Sequence, residues 1–192
     1  AGRAGMIAHL ASGYYDGYRL EAFPTALGLA PALEIGRKGG AWMLRAKDGC
    51  ILPPGSWSHL AATWDGQVAR LYLNGEVVAE GAYAEPFAPP QVAAQNRLDF
   101  ATRESFGLDY YPFEREDTLA LDRALDAQAV RARVGKIDPP DPAAVKEQRR
   151  LFCRSLGIWF EPTEADKEKI REEWDARPCN PYGPAPDLPP PN

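Results

Sequence analysis

The sequence predicts an all-β fold of antiparallel strands, followed by a small helical extension and a Pro-rich tail. Three observations predict it. From Trp57 to Val78 apolar and polar residues alternate with a period of two, and Asp65-Gly66 and Asn74-Gly75 interrupt the run. The 192 residues include 19 Pro and 17 Gly, with 10% aromatics, a composition that favours short strands and turns over a helical bundle. Near Lys136 the composition shifts to Pro-led stretches with helical spacing.

The elements follow in order. Gly5–Ala11 and Gly17–Phe23 read as two strands around Ser12-Gly13-Tyr14-Tyr15-Asp16. Ala32–Gly36 and Ala41–Ala46 read as a second pair around Arg37-Lys38-Gly39-Gly40. In the clearest segment Leu60, Ala62 and Trp64 alternate with His59, Ala61 and Thr63. After Asp65-Gly66, Ala69, Leu71 and Leu73 alternate with Val68, Arg70 and Tyr72. Asp-Gly and Asn-Gly are type I′ turn pairs, because that turn needs φ > 0. Three meandering strands result, each with one apolar face, so the sheet packs one side on a core. Asn96–Thr102 and Asp117–Leu121 are expected strands, and Arg123–Gly135 a short helix capped by Asp126. Ile137-Asp138-Pro139-Pro140 is a linker. Asp141-Pro142 starts a helix to Leu156, stopped by Gly157, and Thr163 caps a last helix to Asp175. The boundaries are therefore 1–136 for the β domain, 137–177 for the helical extension and 178–192 for the tail. Seven Pro in the 15 residues of that tail predict an extended chain.

Composition excludes some functions. No stretch approaches 18 apolar residues, so no membrane insertion is expected. The formal charge is −5 without a basic stripe, which argues against nucleic acid as a partner. The chain starts at Ala1 without Met and is read as a fragment, or as a chain from which something upstream was removed. Cys153 and Cys179 either close a loop of 27 residues or stay free thiols with Cys50.

The segment WSHLAATWDGQVARLYLNGEVVAEG resembles the laminin-G-like branch of the concanavalin A-like lectin/glucanase jelly rolls. There, Trp-x-His-apolar-Ala-x-Thr-aromatic-Asp-Gly enters a hairpin, followed by an aromatic-bearing strand, Asn/Asp-Gly and an apolar pair. Leu119–Val130 resembles the closing strand and short helix of the same family, and Gly17-Tyr18-Arg19-Leu20 the strand before the central hairpins. The resemblance spans about Arg3 to Gly135. It implies a two-sheet antiparallel jelly-roll sandwich. Such domains begin with a strand or more before Gly5, so an upstream fragment or a partner strand is expected beside the first strand.

The glucanases of this superfold place three carboxylates on one strand face as Glu-x-Asp-x-Glu. Glu164-Ala165-Asp166-Lys167-Glu168 has those letters but sits in a Thr-capped helix, where Asp166 points away from the other two. His59 reads as a structural histidine with bonded ring nitrogens. No serine lies in a Gly-x-Ser-x-Gly elbow, and two histidines without ligand spacing make no zinc site. No catalytic residue is assigned. Tyr14, Tyr15 and Asp16, with Tyr110 and Tyr111, are the candidate ligand-binding residues, because an aromatic face can stack on a pyranose beside a carboxylate. Trp42, Trp57 and Trp64 are expected in the core, and Arg149-Arg150 on a solvated helix face. No cofactor is required. The resemblance admits calcium, for which Asp99, Asp109, Glu114, Glu116 and Asp117 supply oxygens.

The resemblance implies a non-catalytic binding or adhesion module. It would recognise glycan or protein within a larger extracytoplasmic bacterial protein, extracellular, periplasmic or at the cell surface. One alternative is a structural subunit of an assembly or filament, completed by a partner strand. Another is an accessory part of a glycoside-active enzyme.

Overall fold

The computed structural model describes residues 5–10, 16–86, 88, 99–100, 121, 123–135, 137, 139–158 and 162–185. Among them are two antiparallel sheets. β1 (Gly5–Leu10), β2 (Tyr18–Thr25), β3 (Gly28–Arg37), β4 (Gly40–Arg45) and β8 (Asp99–Phe100) form one, in the order β4-β3-β2-β1-β8. β5 (Leu60–Trp64), β6 (Val68–Leu73) and β7 (Glu76–Ala82) form the other, in sequence order. The expected meander is present and its sheet faces β3 and β4. The expected strand at Asp117–Leu121 lies outside the described residues except for Leu121, which is exposed.

The period-two pattern explains the packing. Leu33, Ile35 and Leu44 leave the larger sheet on one face, and Leu71, Leu73 and Val78 leave the smaller sheet to meet them. All six are buried, and each contributes roughly 1.5–3 kcal/mol of transfer free energy. Tyr83 closes the core between Trp42 and Trp64, with ring centroids 5.1 and 5.6 Å away. Both indoles pack as expected. Tyr72 points to the opposite face of β6 yet is fully buried, so that sheet is covered on both faces there.

The two hairpin turns differ. Asn74 and Gly75 take φ 52° and 82°, as type I′ requires. At Asp65-Gly66 only Gly66 has positive φ, at 92°. The Asp65 carboxylate instead accepts from the Gln67 and Val68 amides at 2.9 and 2.7 Å, making a side-chain-closed turn in place of the expected type I′. Those amides hold the Asp65 carboxyl below its ordinary value.

β1 pairs with β2 along its length and with β8 at Ala8 and His9. A strand of this chain therefore sits on each side of β1. The expectation that a partner strand or upstream fragment fills that place is overturned.

The helices are α1 (Ala127–Arg131), α2 (Pro142–Ser155) and α3 (Glu164–Asp175), with the caps expected from sequence at Asp126, Asp141 and Thr163. Thr163 and Asp166 bond reciprocally in a capping box. Asp166 is thus spent on the helix start, while Glu164 pairs with Lys167 and Glu168 with Arg171. A second apolar cluster, around Trp174, joins Phe152 of α2, Tyr182 and Ile51.

The tail departs from expectation. Over 178–185 it is not extended but folds back in turns onto α3. The Trp174 indole and the Asn180 amide both donate to the Gly183 carbonyl, and the Ala185 amide donates to Asp175 at 2.7 Å. These bonds satisfy the backbone where Pro cannot build a ladder. Arg149, expected to be solvated, is buried on α2, whereas Arg150 is exposed and paired with Glu147. Among the described residues, no helix is long and apolar enough to cross a membrane.

Candidate functional site

A cleft of about 270 Å³ opens where the sandwich meets the linker and tail. The loop between β4 and β5 contributes Ser56 and Trp57 to it, and the β6–β7 turn contributes Asn74. Ile137, Pro139 and Pro181 form the opposite wall. Trp57, expected in the core, is 38% exposed. The ladder begins only at Leu60, and a period of two counts Trp57 with His59 and Thr63, on the face away from Leu60 and Trp64. Ile137 is also exposed.

The Asn74 turn is pinned to the chain entering β5. Its amide donates to the His59 carbonyl at 2.7 Å, and its Oδ1 accepts from the His59 amide at 2.8 Å. That leaves the Asn74 side-chain NH₂ without a protein partner among the described residues. Behind the turn, a Cβ on Gly75 would lie 2.9 Å from Val134, and Arg131 pairs with Glu76 at 2.8 Å. The region around α1 thus holds the turn in place.

Polar atoms beside the cleft have unused bonding capacity. The hydroxyls of Ser56 and Ser58 and Nδ1 of His59 are buried without a hydrogen-bond partner. The expectation of a His59 with both ring nitrogens bonded is thereby corrected. Burial pushes its pKa down, so the ring is neutral at pH 7. An exposed indole flanked by an amide donor can stack on an apolar face and bond the groups around its rim.

Of the residues expected to bind ligand, Asp16 lies among the described residues. Asp16 is buried, 4% exposed. Its backbone passes 2.5 Å from where a Cβ on Gly36 would stand, so only glycine at position 36 admits it. Asp16 is therefore a packed residue of the larger sheet's rim and not a surface carboxylate. Tyr14, Tyr15, Tyr110 and Tyr111 lie outside the described residues, as do the calcium candidates Asp109, Glu114, Glu116 and Asp117. Asp99 is described only as backbone in β8. Among the described residues no three His, Cys, Asp or Glu side chains gather as a metal site would require.

One constellation escaped the sequence reading. On the face of the larger sheet away from the core, Arg19 stands directly opposite Glu34, and Glu21 lies on the same face. Arg19 and Glu21 are buried, and Arg19 forms an ion pair with Glu34. Burial raises the Glu21 pKa, Glu34 raises it further, and Arg19 and Arg45 oppose the rise. The signal was available, because Arg19-x-Glu21 has strand spacing. Only the register reveals that Glu34 faces them. Glu34 is committed to Arg19, and Glu21 has no ion pair among the described residues.

Comparison with a family model fits this architecture. A laminin-G family model described as the concanavalin A-like lectin/glucanases superfamily matches residues 3–131. Over 29 residues the chain is 59% identical to pappalysin-1 of Mus musculus, a match covering 15% of this chain and 2% of that protein. The solved structure of an S-layer domain-containing protein (residues 221–444) from Clostridium thermocellum ATCC 27405 aligns at 20% identity with a TM-score of 0.33. That alignment covers 70% of this chain and 64% of the other. The chain thus spans less than two thirds of either relative.

Proposed function

The chain belongs to the concanavalin A-like lectin/glucanase superfamily, and from that premise we propose that it is a non-catalytic module binding glycan in the Trp57 cleft, as part of a larger protein outside the cytoplasm. One observation carries the reading: a large indole left exposed at the mouth of a concave site, beside an amide with free donors. Burying that indole is worth most where the ligand offers a flat apolar face, as a pyranose does. The Asn74 NH₂ supplies the polar contact that fixes orientation. Catalysis is the weaker reading, since Glu34 is held by Arg19 and Glu21 is buried beside it.

A protein ligand is the second reading, favoured by the apolar wall of Ile137 and prolines, which suits an extended peptide as well as a sugar. Polysaccharide pull-down with purified chain and a Trp57→Ala variant tests both. Trp57→Ala is expected to weaken glycan binding about tenfold or more while leaving Tm unchanged, because the side chain is not in a core. Unchanged glycan binding overturns this assignment. Loss in Tyr15→Ala or Tyr111→Ala instead moves the ligand to the pairs Tyr14–Tyr15 and Tyr110–Tyr111.

A further inference from the structure

Cys50 and Cys179 lie far apart in sequence and belong to different parts of the molecule. Cys50 ends the turn after β4, where its amide donates to the Lys47 carbonyl at 3.0 Å. Cys179 lies in the turns that follow α3. The structure brings the two together. The Cys50 thiol donates to the carbonyl of Pro178, the neighbour of Cys179, at 3.2 Å. Cys179 packs on the apolar cluster that contains Cys50, close enough that it helps to raise the pKa of the Cys50 thiol. Cys179 also holds φ 54°, the left-handed region that favours glycine. A side chain kept there is over-determined by its surroundings. All three cysteines are free thiols in the structure.

We propose that Cys50 and Cys179 form a dithiol–disulfide site, whose oxidation fastens the C-terminal extension to the sandwich. The inference is independent of the ligand. It also replaces the Cys153–Cys179 pairing suggested by sequence: Cys153 lies on α2, where the charge acting on its thiol is Arg149.

The chemistry is thiol–disulfide exchange with a small disulfide, RSSR, as oxidant. Cys50 is fully buried, and burial, together with Cys179, pushes its thiol up to about 12. Cys179 is half-buried and reacts first. Its thiolate attacks one sulfur of RSSR, forming the Cys179–S–SR bond and expelling RS⁻. Cys179 then carries no negative charge, so one cause of the raised Cys50 pKa disappears while Arg177 and Lys47 still favour the thiolate. The Cys50 thiol loses its proton and attacks the Cys179 sulfur. The Cys50–Cys179 bond forms, the S–SR bond breaks, and a second RS⁻ leaves. Two electrons have passed to RSSR, and the two thiol protons end on two RSH.

The test uses the full chain, fully reduced and then equilibrated with oxidised glutathione. Free thiols are blocked with a maleimide, and the non-reduced digest is read by mass spectrometry. A Cys50–Cys179 linked peptide with Cys153 carrying maleimide is the expected result, unchanged in Cys153→Ser. Closing a loop of about 130 residues should raise Tm on the order of 10 °C, reversed by reductant. Cys179→Ser, at the less buried position, should keep the reduced Tm and lose this response. A Cys153–Cys179 linked peptide overturns the proposal. So does recovery of Cys50 and Cys179 as blocked thiols or glutathione adducts without a link between them.

Discussion

The molecule has two apolar cores, and they are closed by different means. In the sandwich core the aromatic polar handles are used: the Trp64 indole donates to the Tyr83 carbonyl at 2.9 Å, and the Tyr83 hydroxyl reaches the Gly36 carbonyl at 3.4 Å. In the core around Trp174, Arg177 lies buried with its guanidinium 5.0 Å from the rings of both Phe152 and Trp174, and its three nitrogens have no hydrogen-bond partner among the described residues. The Tyr182 hydroxyl and the Gln148 amide nitrogen there are unpartnered too. One core is assembled by strand alternation and satisfied bonds. The other adds to the Trp174 indole bond edge-on and tilted ring contacts around a cation with no hydrogen-bond partner among the described residues. They adjoin at consecutive residues, since Cys50 belongs to the first and Ile51 to the second.

That junction predicts one cooperative transition. Trp174→Ala removes a fully buried indole from contact with Phe152, Tyr182 and Arg177, and is expected to cost about 3–5 kcal/mol. Leu71→Ala in the other core is expected to cost about 2–5 kcal/mol. Urea unfolding followed by far-ultraviolet circular dichroism and by tryptophan fluorescence should give one midpoint per variant, lowered in both. A Trp174→Ala protein whose β signal unfolds at the original midpoint would separate the cores into independent units.

The same contrast decides what could be read from the sequence. β5, β6 and β7 were legible because their information is local: alternation sets the face, and Asn74-Gly75 sets the register. The caps at Asp126, Asp141 and Thr163 were legible for the same reason. Trp57 was expected in the core, yet a period of two counts it with His59 and Thr63, on the face away from Leu60 and Trp64. Asp16 was misread because its burial depends on the missing Cβ of Gly36, on another strand. The tail's fold and the Cys50–Cys179 contact were invisible, since both depend on which surface α3 meets. Of the cleft, only the Asn74 turn was announced locally. Its other wall comes from the linker and from Pro181, far along the chain.

Replacing the unpaired cation sharpens the comparison next. Arg177→Met keeps a long side chain between the two rings and removes a buried charge whose pKa burial already depresses. Stability is expected to hold or to rise by up to about 2 kcal/mol, because no ion pair is broken. Arg177→Ala, which also leaves a void, should be clearly less stable than Arg177→Met. The urea midpoint at constant slope reads both. A marked loss in Arg177→Met would mean that the guanidinium holds a partner of its own.

The smallest effect concerns the opposite case, buried charges with partners nearby, on the outer face of the larger sheet. Glu21 has its pKa raised, by burial first and by Glu34 second. Its native carboxyl therefore holds the proton more tightly than the unfolded chain does. Below the ordinary glutamate range both states are protonated and burial of the carboxyl costs little. As pH rises from that range through the raised native value, the unfolded state ionises first and stability falls. Glu21→Gln is neutral at every pH and escapes that fall. Its stability relative to the parent should rise from pH 4 to pH 7, by under about 1 kcal/mol, since Arg19 and Arg45 offset part of the cost in the parent. Denaturant midpoints at the two pH values measure the difference. The opposite trend would show that the arginines outweigh desolvation, making Glu21 a structural partner of the Arg19–Glu34 pair rather than a carboxyl held near neutrality beside it.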